Sequence, residues 1–177
     1  MALYFIAILP SEQILDEIQK IKDEASVRFD SCKALNSPPH ITLIPPFSSN
    51  ENTYVIDFFE CVKFTVKPFE LKLLNFDFFG KRTVYVKVEN NVFIDKLYAQ
   101  LERQFLTLKE VKQARNSKHN FIPHITILNR DITEENFDRA WRKFRKTTYQ
   151  ARCMIFEVVL FRHEGKKWQK IASKLLS

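Results

Sequence analysis

The same short pattern occurs twice in this chain. Residues 37–47 read SPPHITLIPPF and residues 121–130 read FIPHITILNR, so Pro-His-Ile-Thr followed by two aliphatic residues recurs with the histidines 84 positions apart. A single His-x-Thr triplet arises easily by chance and is most simply interpreted as structural. Two copies in corresponding places of the two halves predict two related lobes within one body.

Each copy is predicted to lie on a β-strand, where residues i and i+2 project from the same face. His40 and Thr42 then stand together on one face while Ile41 turns toward the core, and His124 and Thr126 form the same arrangement. If an approximate two-fold axis relates the lobes, the two polar pairs face each other across a groove.

Two histidines and two threonines suit one kind of reaction well. An imidazole with a pKa of about 6.5 acts as base when neutral and as acid when protonated. Threonine hydroxyls donate hydrogen bonds to the nonbridging oxygens of a phosphate. No carboxylate cluster accompanies the motifs in the sequence, as a two-metal phosphodiesterase requires. The motif pair therefore predicts metal-independent phosphodiester chemistry, with no metal and no cofactor.

Composition narrows the alternatives. With only two glycines, the chain lacks a P-loop, a GxGxxG dinucleotide fingerprint and a GxSxG nucleophile elbow. Three cysteines without a CxxC pair argue against a disulfide framework or a zinc finger, and favour a reducing, cytoplasmic compartment. No apolar run reaches the roughly 20 residues of a membrane span, and the first ten residues lack the features of a signal peptide.

The net charge of +7 is uneven along the chain. Residues 1–88 carry 10 Lys/Arg against 11 Asp/Glu, whereas residues 89–177 carry 18 against 10. Clustered basic residues attract phosphates over long range, so this asymmetry favours an anionic partner such as RNA. A basic surface that serves only solubility is an equally good interpretation of charge alone.

Hydrophobic periodicity predicts alternating strands and helices. The expected strands are 3–10, HITLI and HITIL, a hairpin around Gly80 with Val84, Val86 and Val88 on one face, and a closing hairpin from 151 to 176 that turns near Gly165. The expected helices are one after Ser11 that carries Ile14, Leu15, Ile18, Ile21 and Ala25, one over 50–62, one carrying Phe93, Leu97, Leu101 and Phe105, and one capped by Thr133. No flexible linker divides the chain, so residues 1–177 are predicted to form a single domain of two intertwined lobes.

At these residues the sequence resembles the 2H phosphoesterase superfamily, the proteins of the 2′-5′ RNA ligase and cyclic phosphodiesterase type, whose signature is two His-x-Thr/Ser motifs about 80 residues apart. The resemblance covers nearly the whole chain and rests mainly on the motif pair. It implies an α+β, bilobal fold in which two pseudo-symmetric antiparallel sheets flank a central cleft, with helices on the outside. It also implies metal-independent hydrolysis or ligation of 2′,3′-cyclic phosphates or 2′-5′ linkages in RNA or nucleotides.

Carried over by position, the resemblance makes His40 and His124 the catalytic pair, and Thr42 and Thr126 the phosphate-binding hydroxyls. Which histidine is the acid and which the base stays open, as do hydrolysis against ligation, the physiological substrate and the oligomeric state.

Further substrate contacts are candidates with simpler alternatives. Phe5 or Trp168 would stack on a base, although core packing explains each of them as well. Tyr4, the neighbour of Phe5 on the same strand, is the alternative to Phe5. Arg82 and Arg130 would contact phosphate, although exposed arginine is ordinarily only surface. Lys118 and His119, in the loop before the second motif, are also candidates. His163 is interpreted as a surface or turn residue.

Two other functions are considered. The same basic cleft would serve as an RNA- or nucleotide-binding module that holds its ligand without turnover. A metal site built from His119, His124 and His163 is the third alternative, although no ligand spacing supports it.

Overall fold

The computed structural model describes residues 1–109, 111–113 and 121–177. In these ranges the helices are α1 (Glu12–Phe29), α2 (Asn52–Cys61), α3 (Val92–Phe105) and α4 (Glu134–Phe144), with a short 3-10 helix at Lys33–Asn36. The strands are β1 (Ala2–Ile8), β2 (Ile41–Ser49), β3 (Phe69–Phe79), β4 (Thr83–Val88), β5 (Val111–Gln113), β6 (His124–Leu128), β7 (Gln150–Ile155), β8 (Glu157–Glu164) and β9 (Lys167–Leu175).

These strands form one antiparallel sheet in the order β7-β3-β4-β6-β2-β1-β8-β9, and β5 pairs with β2. The sheet has two four-stranded halves that meet where β2 pairs with β6, at the single residue pair Ile41–Ile125. We call this place the seam. The expected α+β fold with two related sheets is confirmed, with the detail that the two sheets are continuous through the seam.

The two halves of the sheet are not the two halves of the sequence. Residues Tyr4 to Ile8 of β1 are all buried, because both faces of this central strand are covered. The chain supplies β2 on one side and β8, from the far end of the sequence, on the other. The remaining half consists of β3, β4, β6 and β7.

Helix α1 begins after Ser11 as predicted, although the Ser11 side chain makes no capping hydrogen bond. The buried face of α1 differs from the predicted stripe. Ile14, Ile18 and Ala25 are buried as expected, whereas Leu15 and Ile21 are only partly buried and Lys22 is buried in addition.

Helix α3 also buries a slightly different stripe from the one predicted. Phe93 is 48% exposed, and Ile94 is buried in its place above Leu97, Leu101 and Phe105. Residues spaced by four rotate about 40° per step on a helix with 3.6 residues per turn, so a row of fours drifts off the core. One step of three, from Ile94 to Leu97, corrects the drift.

The predicted hairpin turns and the cap of α4 are confirmed. Gly80 and Gly165 adopt positive φ angles of 53° and 64° in the β3–β4 and β8–β9 turns. The Thr133 hydroxyl accepts a hydrogen bond from the Asn136 amide and so caps α4. Val84, Val86 and Val88 face the core from β4.

The closing segment contains a break that the sequence interpretation missed. The stretch expected as one long strand is β7, which pairs with β3, followed by β8, which pairs with β1 in the other half of the sheet. The chain crosses between them at Phe156, whose side chain is 55% exposed.

The large apolar core lies between the sheet and the helices, and a smaller cluster of Phe5, Ala7, Val159 and Phe161 lies on the opposite face of the half that contains β1. In the described part of the chain, none of the helices is long and apolar enough to cross a membrane.

Candidate active site

The two repeated motifs lie side by side at the seam. Ile41 of β2 pairs with Ile125 of β6 in antiparallel register. One residue further in each direction, this register sets His40 opposite Thr126 and Thr42 opposite His124. Side chains opposite each other on neighbouring strands are about 5 Å apart at Cβ. All four are partly exposed, whereas the isoleucines between them are fully buried. Two imidazoles and two hydroxyls thus share one accessible face.

The two histidines are held by the same hydrogen bond. Nδ1 of His40 lies 2.7 Å from the carbonyl oxygen of Pro38, and Nδ1 of His124 lies 2.7 Å from that of Ile122. A carbonyl can only accept, so Nδ1 is the protonated donor in both rings. The other ring nitrogen, Nε2, is left to exchange a proton with a ligand.

The ring of His40 packs on aromatic side chains of the sheet. Its centroid is 4.6 Å from that of Phe5 on β1 and 6.2 Å from that of Phe161 on β8. The pKa of His40 is lowered to about 4, mainly by burial and in part by the charges of Lys22 and His124. The hydrogen bond to the Pro38 carbonyl opposes this shift. His40 is therefore neutral at pH 7.

His124 has equivalent aromatic neighbours in its own half of the sheet. Its ring centroid is 4.9 Å from Phe79 on β3 and 5.0 Å from Tyr85 on β4. Burial lowers the pKa of His124 below its ordinary value of 6.5, and the hydrogen bond to the Ile122 carbonyl opposes this shift. In contrast to His40, no lysine, arginine or carboxylate among the described residues contributes to this shift.

The sequence profile of the 2′-5′ RNA ligase superfamily matches residues 10–167, a range that contains both motifs. The chain belongs to the 2′-5′ RNA ligase superfamily.

Proteins of similar sequence occur in Geobacillus and Bacillus. A candidate phosphoesterase of Geobacillus sp. is 29% identical over 146 residues, which are 80% of this chain and 77% of that protein. Another from Bacillus cytotoxicus is 26% identical over 167 residues, which are 92% of this chain and 90% of that one.

Solved structures show the same fold at low sequence identity. E. coli LigT complexed with 3′-AMP has a TM-score of 0.70 at 18% identity, and TT0787 of Thermus thermophilus has a TM-score of 0.69 at 16% identity. Each comparison covers 99% of this chain and 98% of the other.

Phe5 and Trp168 lie on the motif face of this superfamily member. The Trp168 ring meets Phe5 edge-on at 4.7 Å and His163 at 5.0 Å, and both Trp168 and His163 are partly exposed. Tyr4, the alternative to Phe5, is fully buried in the large core, with its hydroxyl bonded to Asn52. Phe5 separates Trp168 from His40, so Trp168 lies at the rim of the site.

Arg82 and Arg130 are exposed at one end of the half that contains His124. Val84 pairs with Leu128 at the end of the two strands, and both arginines lie in the turns just beyond this pair. Lys118 and His119 lie outside the described residues.

Within residues 1–109, 111–113 and 121–177, no group of three or more His, Cys, Asp or Glu side chains is arranged to hold a metal ion. His119, one member of the alternative metal site, is outside these ranges.

The sequence interpretation missed most of the surroundings of the histidines. Phe79, Tyr85 and Phe161 were not singled out, because their neighbours across the strands depend on the pairing of distant segments. The carbonyl partners of Nδ1 do have a local signal. A proline precedes each histidine, and proline holds the residue before it in an extended conformation.

Proposed function

We propose that this superfamily member is a metal-independent phosphoesterase that opens 2′,3′-cyclic phosphates, or cleaves or forms 2′-5′ linkages, in RNA or nucleotides. The observation that carries the proposal is the pair of histidines at the seam, each with Nδ1 bonded to a backbone carbonyl and each opposite a motif threonine. LigT, which shares the fold, has been crystallised with 3′-AMP, a nucleoside with a phosphate on a ribose oxygen.

Hydrolysis of a cyclic phosphate then follows directly. One imidazole accepts a proton from water through Nε2 as the water oxygen forms a bond to phosphorus. The bond between phosphorus and a ribose oxygen breaks, and the other imidazole donates its proton to that leaving oxygen. In ligation a 5′-hydroxyl takes the place of water: its oxygen bonds to phosphorus as one imidazole accepts its proton, the bond from phosphorus to the 3′-oxygen breaks, and the other imidazole protonates that oxygen. Cleavage of a 2′-5′ linkage runs the same transfers in reverse.

Thr42 and Thr126 hold the phosphate in this scheme. Each hydroxyl donates a hydrogen bond to a nonbridging oxygen, and such bonds strengthen as negative charge develops in the transition state. Since each threonine is opposite the histidine of the other strand, a phosphate centred on the seam reaches all four side chains.

The rim residues extend this site. The partly exposed Trp168, backed by Phe5, offers a surface on which a base stacks. Arg82 and Arg130, exposed in the turns at one end of this half of the sheet, contact phosphates of the substrate.

A substrate panel tests the proposal. The purified chain is assayed in excess EDTA on 2′,3′-cyclic nucleotides and on 2′-5′-linked dinucleotides, and the position of the phosphate in each product is determined. Turnover of at least one class without metal is expected. Salt-sensitive RNA binding with no turnover of any compound would instead show a binding module.

A further inference from the structure

Lys22 is a buried cation in the inward face of α1. Its side chain is 2% exposed, and it occupies the position between Ile18 and Ala25 in the buried stripe of that helix. Burial is the main cause that lowers the pKa of Lys22 to about 8, and the neighbouring Asp23 raises it slightly. The ammonium group is therefore still charged at neutral pH.

A charge in this place does not help the helix to pack. A buried ammonium loses its hydration, and that loss is compensated only by good partners. Among the described residues, no carboxylate lies within ion-pair distance of Lys22. Methionine would fill the same space without this cost, so the role of the lysine lies in what its ammonium contacts.

The ammonium contacts the turn that leads into the first motif. Lys22 Nζ donates a hydrogen bond of 2.7 Å to the carbonyl oxygen of Ser37. The next carbonyl along the chain, that of Pro38, accepts the hydrogen bond from His40 Nδ1. Two prolines stiffen the backbone between Ser37 and His40. The position of Lys22 is thereby transmitted to the orientation of the imidazole.

The second motif is supported in a different way. Phe121, at the corresponding place before His124, stacks on Tyr98 of α3 at 4.1 Å with the rings parallel to within 2°. Lys22 from α1 acts on the charge of His40, and the two imidazoles act on each other. Among the described residues, no lysine, arginine or carboxylate shifts the pKa of His124. The aromatic neighbours Phe5 and Phe161 carry no charge. Within the described part of the chain, the cation behind His40 therefore distinguishes the two imidazoles.

We propose that Lys22 is a positioning residue whose buried ammonium, bonded to the Ser37 carbonyl, fixes the turn that orients the His40 imidazole, and that His40, next to this fixed cation, is the base and His124 the acid in ring opening. This assignment of roles rests on the proposed function. The effect of Lys22 on His40 does not, because it is a property of the protein without substrate.

The test compares Lys22→Met with Lys20→Met, a matched change at an exposed position of the same helix. The histidine ring protons are titrated by NMR in both variants and in the unmodified chain, with His40→Gln and His124→Gln used to assign the signals. The dependence of kcat/KM on pH is measured in parallel on a 2′,3′-cyclic nucleotide. Lys22→Gln replaces Lys22→Met if the latter does not fold, and Lys22→Arg tests rescue by a retained charge.

We expect the pKa of His40 to lie below that of His124 in the unmodified chain, and to rise by about one unit in Lys22→Met. The acid limb of the pH profile of kcat/KM should shift to higher pH with it. Lys22→Arg should retain the low pKa of His40, and Lys20→Met should change neither this pKa nor the acid limb. An unchanged His40 titration in Lys22→Met overturns the proposal. A changed titration with an unchanged acid limb overturns His40 as the base. Absence of turnover in every sample would instead contradict the proposed function, and the titration would still be readable.

Discussion

At the scale of single residues, the histidines are set by backbone carbonyls two residues earlier. Both rings use Nδ1 for this bond at 2.7 Å, so the same tautomer and the same free nitrogen result in both lobes. The pattern Pro-His in both motifs signals this arrangement in the sequence, whereas the aromatic rings around each imidazole depend on the fold.

The hydroxyls of Thr42 and Thr126 are expected to contribute to phosphate binding in the transition state. Thr42→Val and Thr126→Val keep the shape of the side chain but remove the donor, so each should lower kcat roughly 10²-fold. Thr42→Ser and Thr126→Ser should retain most of the activity. Thr53→Val, at an exposed position of α2, is the matched control. Steady-state kinetics on a cyclic nucleotide would contradict the role if the valine variants behaved like this control.

The histidine pKa values predict an acidic optimum. The base must be neutral and the acid protonated, and kcat/KM reports the protonation states of the free protein. Because burial lowers the pKa of His40 to about 4 and that of His124 below 6.5, kcat/KM should rise near pH 4 and fall before pH 6.5. A pH series in buffers of constant ionic strength measures this, and an optimum above pH 7 would contradict it.

At the scale of elements, Asp131 connects the loop after the second motif to the segment before the first. Its carboxylate accepts hydrogen bonds from the Ser31 hydroxyl at 2.7 Å and from the amides of Cys32 and Lys33 at 2.8 Å each, at the start of the 3-10 helix. Lys22 holds the other end of that segment, at Ser37. The segment from Ser31 to Ser37, which leads to His40, is thus fixed at both ends.

Asp131→Asn should lower the free energy of unfolding by about 1 kcal/mol at pH 7, as the loss of a helix cap does. Burial raises the pKa of Asp131, but the bonds from Ser31 and the two amides outweigh it and hold the pKa below 3.8. A depressed folded-state pKa contributes stability above the unfolded value that is lost as pH falls through the folded one. The difference from the unmodified chain should therefore shrink below about pH 4. Urea unfolding at pH 7 and pH 3.5 measures the loss of stability and its dependence on pH, with Asp57→Asn, at an exposed position, as the control. An equal loss of unfolding free energy in Asp131→Asn at the two pH values would contradict this role of the carboxylate.

Local patterns predicted the elements well, and pairing between distant elements less well. The alternation in β4, the Gly80 and Gly165 turns and the Thr133 cap depend on neighbouring residues and are confirmed. The break at Phe156 and the burial of Lys22 instead depend on which distant strand or turn each segment meets. For the site, the motif residues were recognised because they repeat, whereas Lys22 and Tyr85 have no repeat to mark them.

At the scale of the whole molecule, the site exists only where the two halves of the sheet join. β2 brings His40 and Thr42 from one half, β6 brings His124 and Thr126 from the other, and the seam between them is one residue pair. The half that contains β2 also needs β8 and β9 from the far end of the chain. A complete pair of motifs on one face therefore requires nearly the entire chain to fold.

The central claim is that one imidazole from each half acts with the other as a single acid–base unit. Its most direct test is kcat for the unmodified chain, His40→Gln, His124→Gln and the double variant on a 2′,3′-cyclic nucleotide in excess EDTA, with thermal unfolding to verify folding. Each single variant should lose roughly 10²-fold or more, and the double variant should lose little beyond the worse single one, because groups that act as a unit are not additive. Full activity in either folded single variant would contradict the claim.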